Sequence, residues 1–373
     1  MQINAVTRTL RAAFPALLLS GISMLPLPSS AQGGPPAAAD AGIDAAQRKA
    51  VIDALTRQLD ANYLYPDQAK KIDEALHRHD RHGDDDGAIH AQQFADLLTT
   101  QMQQVVPDKH LYVMFSDDEL PPDNADGKPS AEQHAMEVAQ FKAHNFGIDR
   151  VERLPFNIGY LNLEVFLPAN DAGEALTAAM NLLANTDALI IDLRGNHGGD
   201  QNTVALVASY LFDGRTHLND FYYRKGDRLE QMWTSEYVPG PRYGQGKDVY
   251  ILTDKESYSG AEDFAYDLQN LKRAVVIGET TAGAAHCGDM VRLDAHFSAM
   301  VPDCRGINPV TKGDWEGSGV KPDIAVAAAD ALRTAQVEAL KKMKAAEKSP
   351  ARVKKIDARI AQLQAVHGDE AAP

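Results

Sequence analysis

Cysteine is nearly absent from this 373-residue chain, which holds only Cys287 and Cys304. So few thiols exclude a disulfide-dense small scaffold and a four-cysteine zinc module. Tryptophan is as scarce, and aromatic residues make up 7% of the chain, so aliphatic side chains must build most of the core. Positive charge is in deficit: 37 Lys and Arg stand against 52 Asp and Glu, a formal net charge of −15. That balance excludes nucleic acid and anionic membrane surfaces as expected partners. No uninterrupted apolar run reaches the ~20 residues of a spanning helix. With 44% hydrophobic and 24% charged residues the composition is that of a globular protein, and the length suggests about two domains.

The N-terminus reads as a targeting segment. Arg8 and Arg11 form a basic start, Ala12 to Leu27 is apolar but broken by Pro15 and Pro26, and Ser29-Ser30-Ala31 offers a small-residue cleavage site. Residues 1–31 are therefore expected to be a signal peptide and 32–42 a Gly/Pro/Ala linker. No stable membrane insertion is expected after cleavage, and the mature chain should be periplasmic or extracellular. In such an oxidising compartment the two cysteines are expected to bridge around a β-hairpin over Met290–Asp294 and Phe297–Val301, two buried thiols being the alternative.

Hydrophobic spacing divides the rest. Residues 43–115 read as a helical N-terminal domain, with Val51, Ile52, Leu55 and Leu59 on one stripe and Phe94, Leu97, Leu98 and Met102 on another. His77, His79 and His82 lie among acidic residues there and read as a solvated helix end rather than a metal site; no metal or cofactor is expected. Residues 116–148 are an acidic, Pro-rich loop and a connecting helix over Ala131–Phe141. Residues 149–326 alternate strands (Ile158–Val165, Ala188–Asp192, Val249–Thr253, Ala274–Ile277) with helices (Ala172–Leu183, Thr203–Phe212), the pattern of an α/β core. Residues 327–373 form a charged helical tail broken at Ser349-Pro350.

Two turns in that core carry chemistry. Val249–Thr253 runs into Ser257-Tyr258-Ser259-Gly260-Ala261-Glu262, after which Phe264, Leu268 and Leu271 recur at helical spacing. A serine at a strand-to-helix turn sits where free N–H groups and the helix dipole can stabilise an oxyanion. Ser259 followed by Glu262 also fits a helix-capping box, which needs no catalysis. Ala188–Asp192 leads into Leu193-Arg194-Gly195-Asn196-His197-Gly198-Gly199, whose glycines allow close backbone approach to a substrate. No phosphate-loop or dinucleotide glycine pattern is present, and a plain tight turn is the alternative.

Together these segments resemble the tail-specific (C-terminal processing) serine protease family. The nearest branch is the one that contains tricorn core protease and the bacterial relatives of interphotoreceptor retinoid-binding protein. The stretches that carry the resemblance are Asp108-Lys109-His110-Leu111, Asn157–Leu161, Asp192–Gly199, Ser259–Glu262 through Gly278–Thr281, and Asn308–Thr311 into Trp315–Asp323. They fall in family order across residues 45–335.

The resemblance implies a ClpP/crotonase-like β/α core and an exported serine endopeptidase. Ser259 would be the nucleophile, His110 its general base and Glu316 the acid completing the relay. Gly260, with Gly198 or Gly199, would form the oxyanion hole. The lysine that many members place after the Gly-Glu dipeptide is Ala284 here, and the serine that precedes the tricorn histidine is Lys109. His286, in the same loop as Ala284, is the alternative base. An ordinary imidazole predicts activity rising through about pH 6–7. Fewer than fifty residues separate His110 from Ile158, too few for a PDZ module, so the expected partner is a short peptide or unfolded protein taken by the core itself. The alternatives are a non-catalytic module for a hydrophobic ligand and an esterase using the same site.

Overall fold

The computed structural model describes residues 42–121 and 130–365. The expected signal peptide, most of the linker and the last residues of the tail lie outside them. Three helices come first: α1 (Ala45–Asn62), α2 (Pro66–His82) and α3 (Ala91–Val105). Asp44 starts α1 by accepting the Gln47 N–H at 2.8 Å, and Gly83 ends α2 at φ +73°, a conformation that costs glycine little. Short strand β1 (Tyr112–Phe115) and exposed helix α4 (Ala131–Ala143) follow.

The core proper alternates. It runs β2 (Ile148–Leu154), β3 (Ile158–Leu163), α5 (Ala169–Leu183), β4 (Ala188–Asp192) and α6 (Gln201–Leu211). A hairpin, β5 (His217–Tyr223) with β6 (Arg228–Trp233), interrupts it. Then come β7 (Asp248–Thr253), α7 (Gly260–Asn270), β8 (Val275–Gly278), β9 (His286–Arg292), β10 (Phe297–Ile307) and β11 (Ile324–Ala325). Helices α8 (Ala328–Ala346) and α9 (Pro350–Ala365) close the chain, and the Ser349-Pro350 break falls between them.

One sheet has the order β11-β8-β7-β4-β3-β2, parallel except for β2. Its strands are apolar on both faces because both are covered. Leu189, Ile191, Val249 and Ile251 pack toward α5, α6 and α7, whereas Ile190, Tyr250 and Leu252 pack toward α8 and α9. The second sheet is built on β10, with β9 along one edge and β1 and β5 along the other. Phe297, Ala299 and Val301 of β10 share a core with Leu55, Leu59, Phe94 and Leu98 of the N-terminal helices. The architecture is α/β, as expected.

The hairpin differs from expectation in extent. Cys287 and Cys304 lie inside β9 and β10 as directly paired residues, with Cα atoms 4.9 Å apart, and they form a disulfide. The β5–β6 hairpin was not anticipated. Two of the helix-end histidines have carboxylate neighbours: His79 Nδ1 is 2.7 Å from Asp84, and His77 lies 3.6 Å from Asp73.

Mass analysis without reductant should show Cys287 bonded to Cys304. Removing the bridge should cost about 2–4 kcal/mol at most, because strand pairing already holds its ends; two alkylatable thiols in the native protein would contradict the assignment.

Candidate active site

Strands β4 and β7 are parallel neighbours, so their carboxyl ends open side by side. The glycine turn leaves β4 and the serine turn leaves β7, and the two are laced together. Ser257 Oγ donates to the Leu193 carbonyl at 2.7 Å, Gly195 N–H to Asp254 Oδ1 at 3.1 Å, and Tyr258 N–H to the Asn196 carbonyl at 2.9 Å. Arg194 and the Tyr160 hydroxyl both bind the buried Asp192 carboxylate, and Arg194 also reaches the Ala328 carbonyl, which anchors the glycine turn to α8.

Ser259 begins α7 at φ +52°, ψ −114°, a conformation that side chains other than glycine adopt at a cost of about 1–3 kcal/mol. Glu262 holds it there. Its fully buried carboxylate accepts Ser259 N–H at 2.9 Å, Gly283 N–H at 2.6 Å, Ala284 N–H at 2.9 Å and the Thr281 hydroxyl at 2.5 Å. Burial pushes its pKa up, and those donors oppose the shift. The capping reading of Glu262 and the presentation of Ser259 are therefore compatible: the glutamate takes the backbone N–H, and the serine Oγ faces outward.

What it faces is His110, whose Nε2 lies 3.1 Å from Ser259 Oγ. The imidazole is buried, packs against the Tyr258 ring at 4.7 Å, and is driven down to a pKa of about 4 by burial and by the neighbouring His286, with Asp108 pulling the other way. Its Nδ1 is buried without a hydrogen-bond partner among the described residues. The turn that carries it is fixed through its backbone: His110 N–H donates to Asp108 Oδ1 at 3.0 Å, Lys109 Nζ reaches the Ala282 carbonyl, and the Tyr258 hydroxyl donates to the Lys109 carbonyl.

Glu316 does not complete the expected relay. Its Oε2 accepts Ala285 N–H at 2.6 Å and His286 N–H at 3.3 Å, and no hydrogen bond or ion pair joins it to His110 among the described residues. Its Oε2 is taken by N–H groups at the start of β9, and its Oε1 is buried without a hydrogen-bond partner among the described residues. His286 is not placed as a base for Ser259 either. Its Nδ1 is 2.7 Å from Asp108 Oδ2, and its Nε2 lies 3.3 Å from the Tyr65 hydroxyl. Asp108, His286 and Glu316 have ligand-type atoms within 4.8 Å of one another. A tetrahedral zinc spreads its ligands roughly 3.3 Å apart; the 2.7 Å contact is that of a shared proton.

Gly198 and Gly199 press directly on the serine turn. A Cβ at Gly198 would meet Ser259 Cβ and Gly260 N at 2.7 Å, and both residues have positive φ. Their N–H groups differ. Gly198 donates to Asn196 Oδ1 at 2.8 Å, whereas the exposed Gly199 has no acceptor among the described residues.

Residues 157–326 match the model of peptidase family S41. These residues form an S41 peptidase domain. The chain is a serine-type peptidase, and several solved structures share its fold. A lipoprotein from Streptococcus agalactiae is 14% identical, with 79% of this chain and 96% of that one aligned at a TM-score of 0.52. A putative peptidase from Parabacteroides merdae is 20% identical, covering 87% and 99% at 0.51. Mature CPAF in complex with lactacystin is 12% identical, covering 85% and 99% at 0.52. At such identities these likenesses speak for the fold of the S41 domain.

Asp108 and Glu262 are the site residues whose weight sequence reasoning missed. Glu262 had a signal, its capping position, but not the Thr281–Ala284 donors it also collects. Glu262→Ala should destabilise the S41 domain by about 3 kcal/mol or more, since several buried donors lose their acceptor. Urea unfolding checks it; a loss below 1 kcal/mol would show that the loop re-pairs elsewhere.

Proposed function

We propose that the protein is an exported endopeptidase that cleaves peptides or unfolded protein segments with Ser259 as nucleophile and His110 as general base. The observation that carries this reading is the 3.1 Å contact between Ser259 Oγ and His110 Nε2 at the mouth of two glycine-lined turns. Ser259 Oγ attacks the scissile carbonyl carbon while His110 Nε2 takes its proton. The oxyanion is assigned to the N–H groups of Gly260 and Gly199, since that of Gly198 is already donated. His110 then passes the proton to the leaving amine, and water, deprotonated in turn by His110, hydrolyses the acyl-serine.

The paired Cys287 and Cys304 support export, because such bridges persist in oxidising compartments. No helix among the described residues is long and apolar enough to cross a membrane. A ligand-binding module would need neither a base at the serine nor a free pair of N–H groups beside it.

A fluorophosphonate should label Ser259, and Ser259→Ala should abolish labelling. His110→Ala should slow labelling about 10²–10⁴-fold, and Glu316→Gln should slow it far less. Equal labelling of the Ser259→Ala variant would mean the wrong nucleophile.

The pH dependence follows from burial. A base works deprotonated, so activity should hold on acidification through pH 6 and fall only near pH 4–5, below the pH 6–7 of an ordinary imidazole. The labelling rate between pH 3.5 and 8 measures this; a midpoint near 6.5 would show that His110 is better solvated during reaction than at rest.

A further inference from the structure

Among the described residues no side chain is bonded to Nδ1 of the proposed base, yet a carboxylate stands beside it. Asp108 divides its two oxygens. Oδ1 accepts the backbone N–H of His110 at 3.0 Å. Oδ2 accepts the Tyr63 hydroxyl at 3.0 Å and meets His286 Nδ1 at 2.7 Å. The side chain is buried, and so is His286. One carboxylate thus ties the end of α1, the turn carrying the base and the first residue of β9, which the Cys287–Cys304 bridge fastens to β10.

We propose that Asp108 and His286 are a positioning pair for His110: Asp108 clamps the backbone of the base, His286 holds Asp108, and their opposite charges set how readily His110 takes the serine proton. The inference rests on the reading of His110 as base. Its physical ground is the cost of burying a cation. When His110 is protonated during acylation, the imidazolium forms in a desolvated site and needs a negative charge close by. With His286 charged, Asp108, Glu316 and His286 together carry a single negative charge, so the cluster becomes neutral as His110 is protonated.

The other charges around the group are few. Burial opposes protonation of His286, but its bond to Asp108 and the charges of Asp108, Glu316 and Asp314 outweigh it and raise its pKa. Asp108, also opposed by burial, is held low by His286 and His110. Tyr63, Tyr65 and Tyr258 keep their protons, raised first by burial. Glu262 lies on the serine side, bound to its backbone donors, and Lys109 points to Ala282. Nothing else charged faces His110 as directly as Asp108 and His286.

The two members of the pair act in opposite senses on the base. His286→Gln removes the competing positive charge, so the acid midpoint of Ser259 labelling should move up by about one pH unit. Asp108→Asn removes the nearest carboxylate and weakens the clamp, so the plateau labelling rate should fall at least about tenfold while KM for a peptide stays within twofold. A purely structural pair would lower the fraction of active protein without moving the midpoint. The experiment is the pH–rate profile of fluorophosphonate labelling for both variants, with circular dichroism to confirm the fold. Should His286→Gln fail to fold, Tyr65→Phe, which removes only the partner of Nε2, should shift the midpoint the same way by less. A midpoint that stays in place or moves down, or an Asp108→Asn variant labelling at the parental rate, overturns the pair. Failure of the base assignment is separate and is read from His110→Ala keeping its labelling rate.

Discussion

The buried carboxylate of Glu262 holds donors from two segments that are far apart in sequence, and the site depends on it. Ser259 N–H comes from the start of α7; Thr281, Gly283 and Ala284 come from the loop between β8 and β9. An ionised group buried this deeply is stable only with its oxygens fully engaged. The requirement works in both directions. The loop needs the glutamate to satisfy its N–H groups, and the serine turn needs the loop to keep the glutamate in place. Because that loop runs directly into His286, Ser259 and the Asp108–His286 contact share one frame.

The same frame accounts for the strain at Ser259. A positive φ at a serine persists only where its surroundings over-determine it. Here the turn is pinned by Glu262 below, by the Leu193 and Asn196 carbonyls at its side, and by glycines so close that a methyl group at Gly198 would collide with the serine itself. The result is a hydroxyl with little freedom, already turned toward His110. Strain energy and close glycine packing serve one end, which is to present an oxygen and two N–H groups to the same small volume.

How much of this was legible in the sequence depended on range. Strands β4 and β7 and helices α5 to α7 were readable because parallel strands covered on both faces are unbroken apolar runs, and the turns after them carry Gly and Ser. The β5–β6 hairpin was not, since its strands mix exposed charge with aromatics and β6 shows no buried face. Ser259 stands at a strand-to-helix turn that is legible locally, but only motif order lifts it above a plain cap, and His110 is legible through motif order alone. Glu262 was seen as a cap only, because its other donors lie about twenty residues away. Asp108 stood in a quoted motif with no role, as its partners Tyr63 and His286 lie 45 and 178 residues distant. The lowered pKa of His110 is not legible in the sequence for the same reason: composition shows that a histidine is there, but only packing shows its burial.

The two halves of the site come from different layers, and this has a mechanical consequence. Ser259, Gly260 and Gly199 are placed by the parallel sheet, whereas His110 is placed by the segment between α3 and β1. That segment rests on the second sheet through the core that Phe94 and Leu98 share with Phe297 and Ala299. Loosening this core would leave Ser259 and the N–H groups proposed to hold the oxyanion in place while letting His110, the proposed base, drift. A separation of 3.1 Å tolerates little drift before proton transfer fails. The hydrogen bonds that cross between the layers (Lys109 to Ala282, Tyr258 to Lys109) are then the means by which a two-layer fold holds a one-piece candidate site. Both converge on Lys109, next to His110 in the chain. The short turn, rather than either sheet, is where the distance between Ser259 and His110 is set.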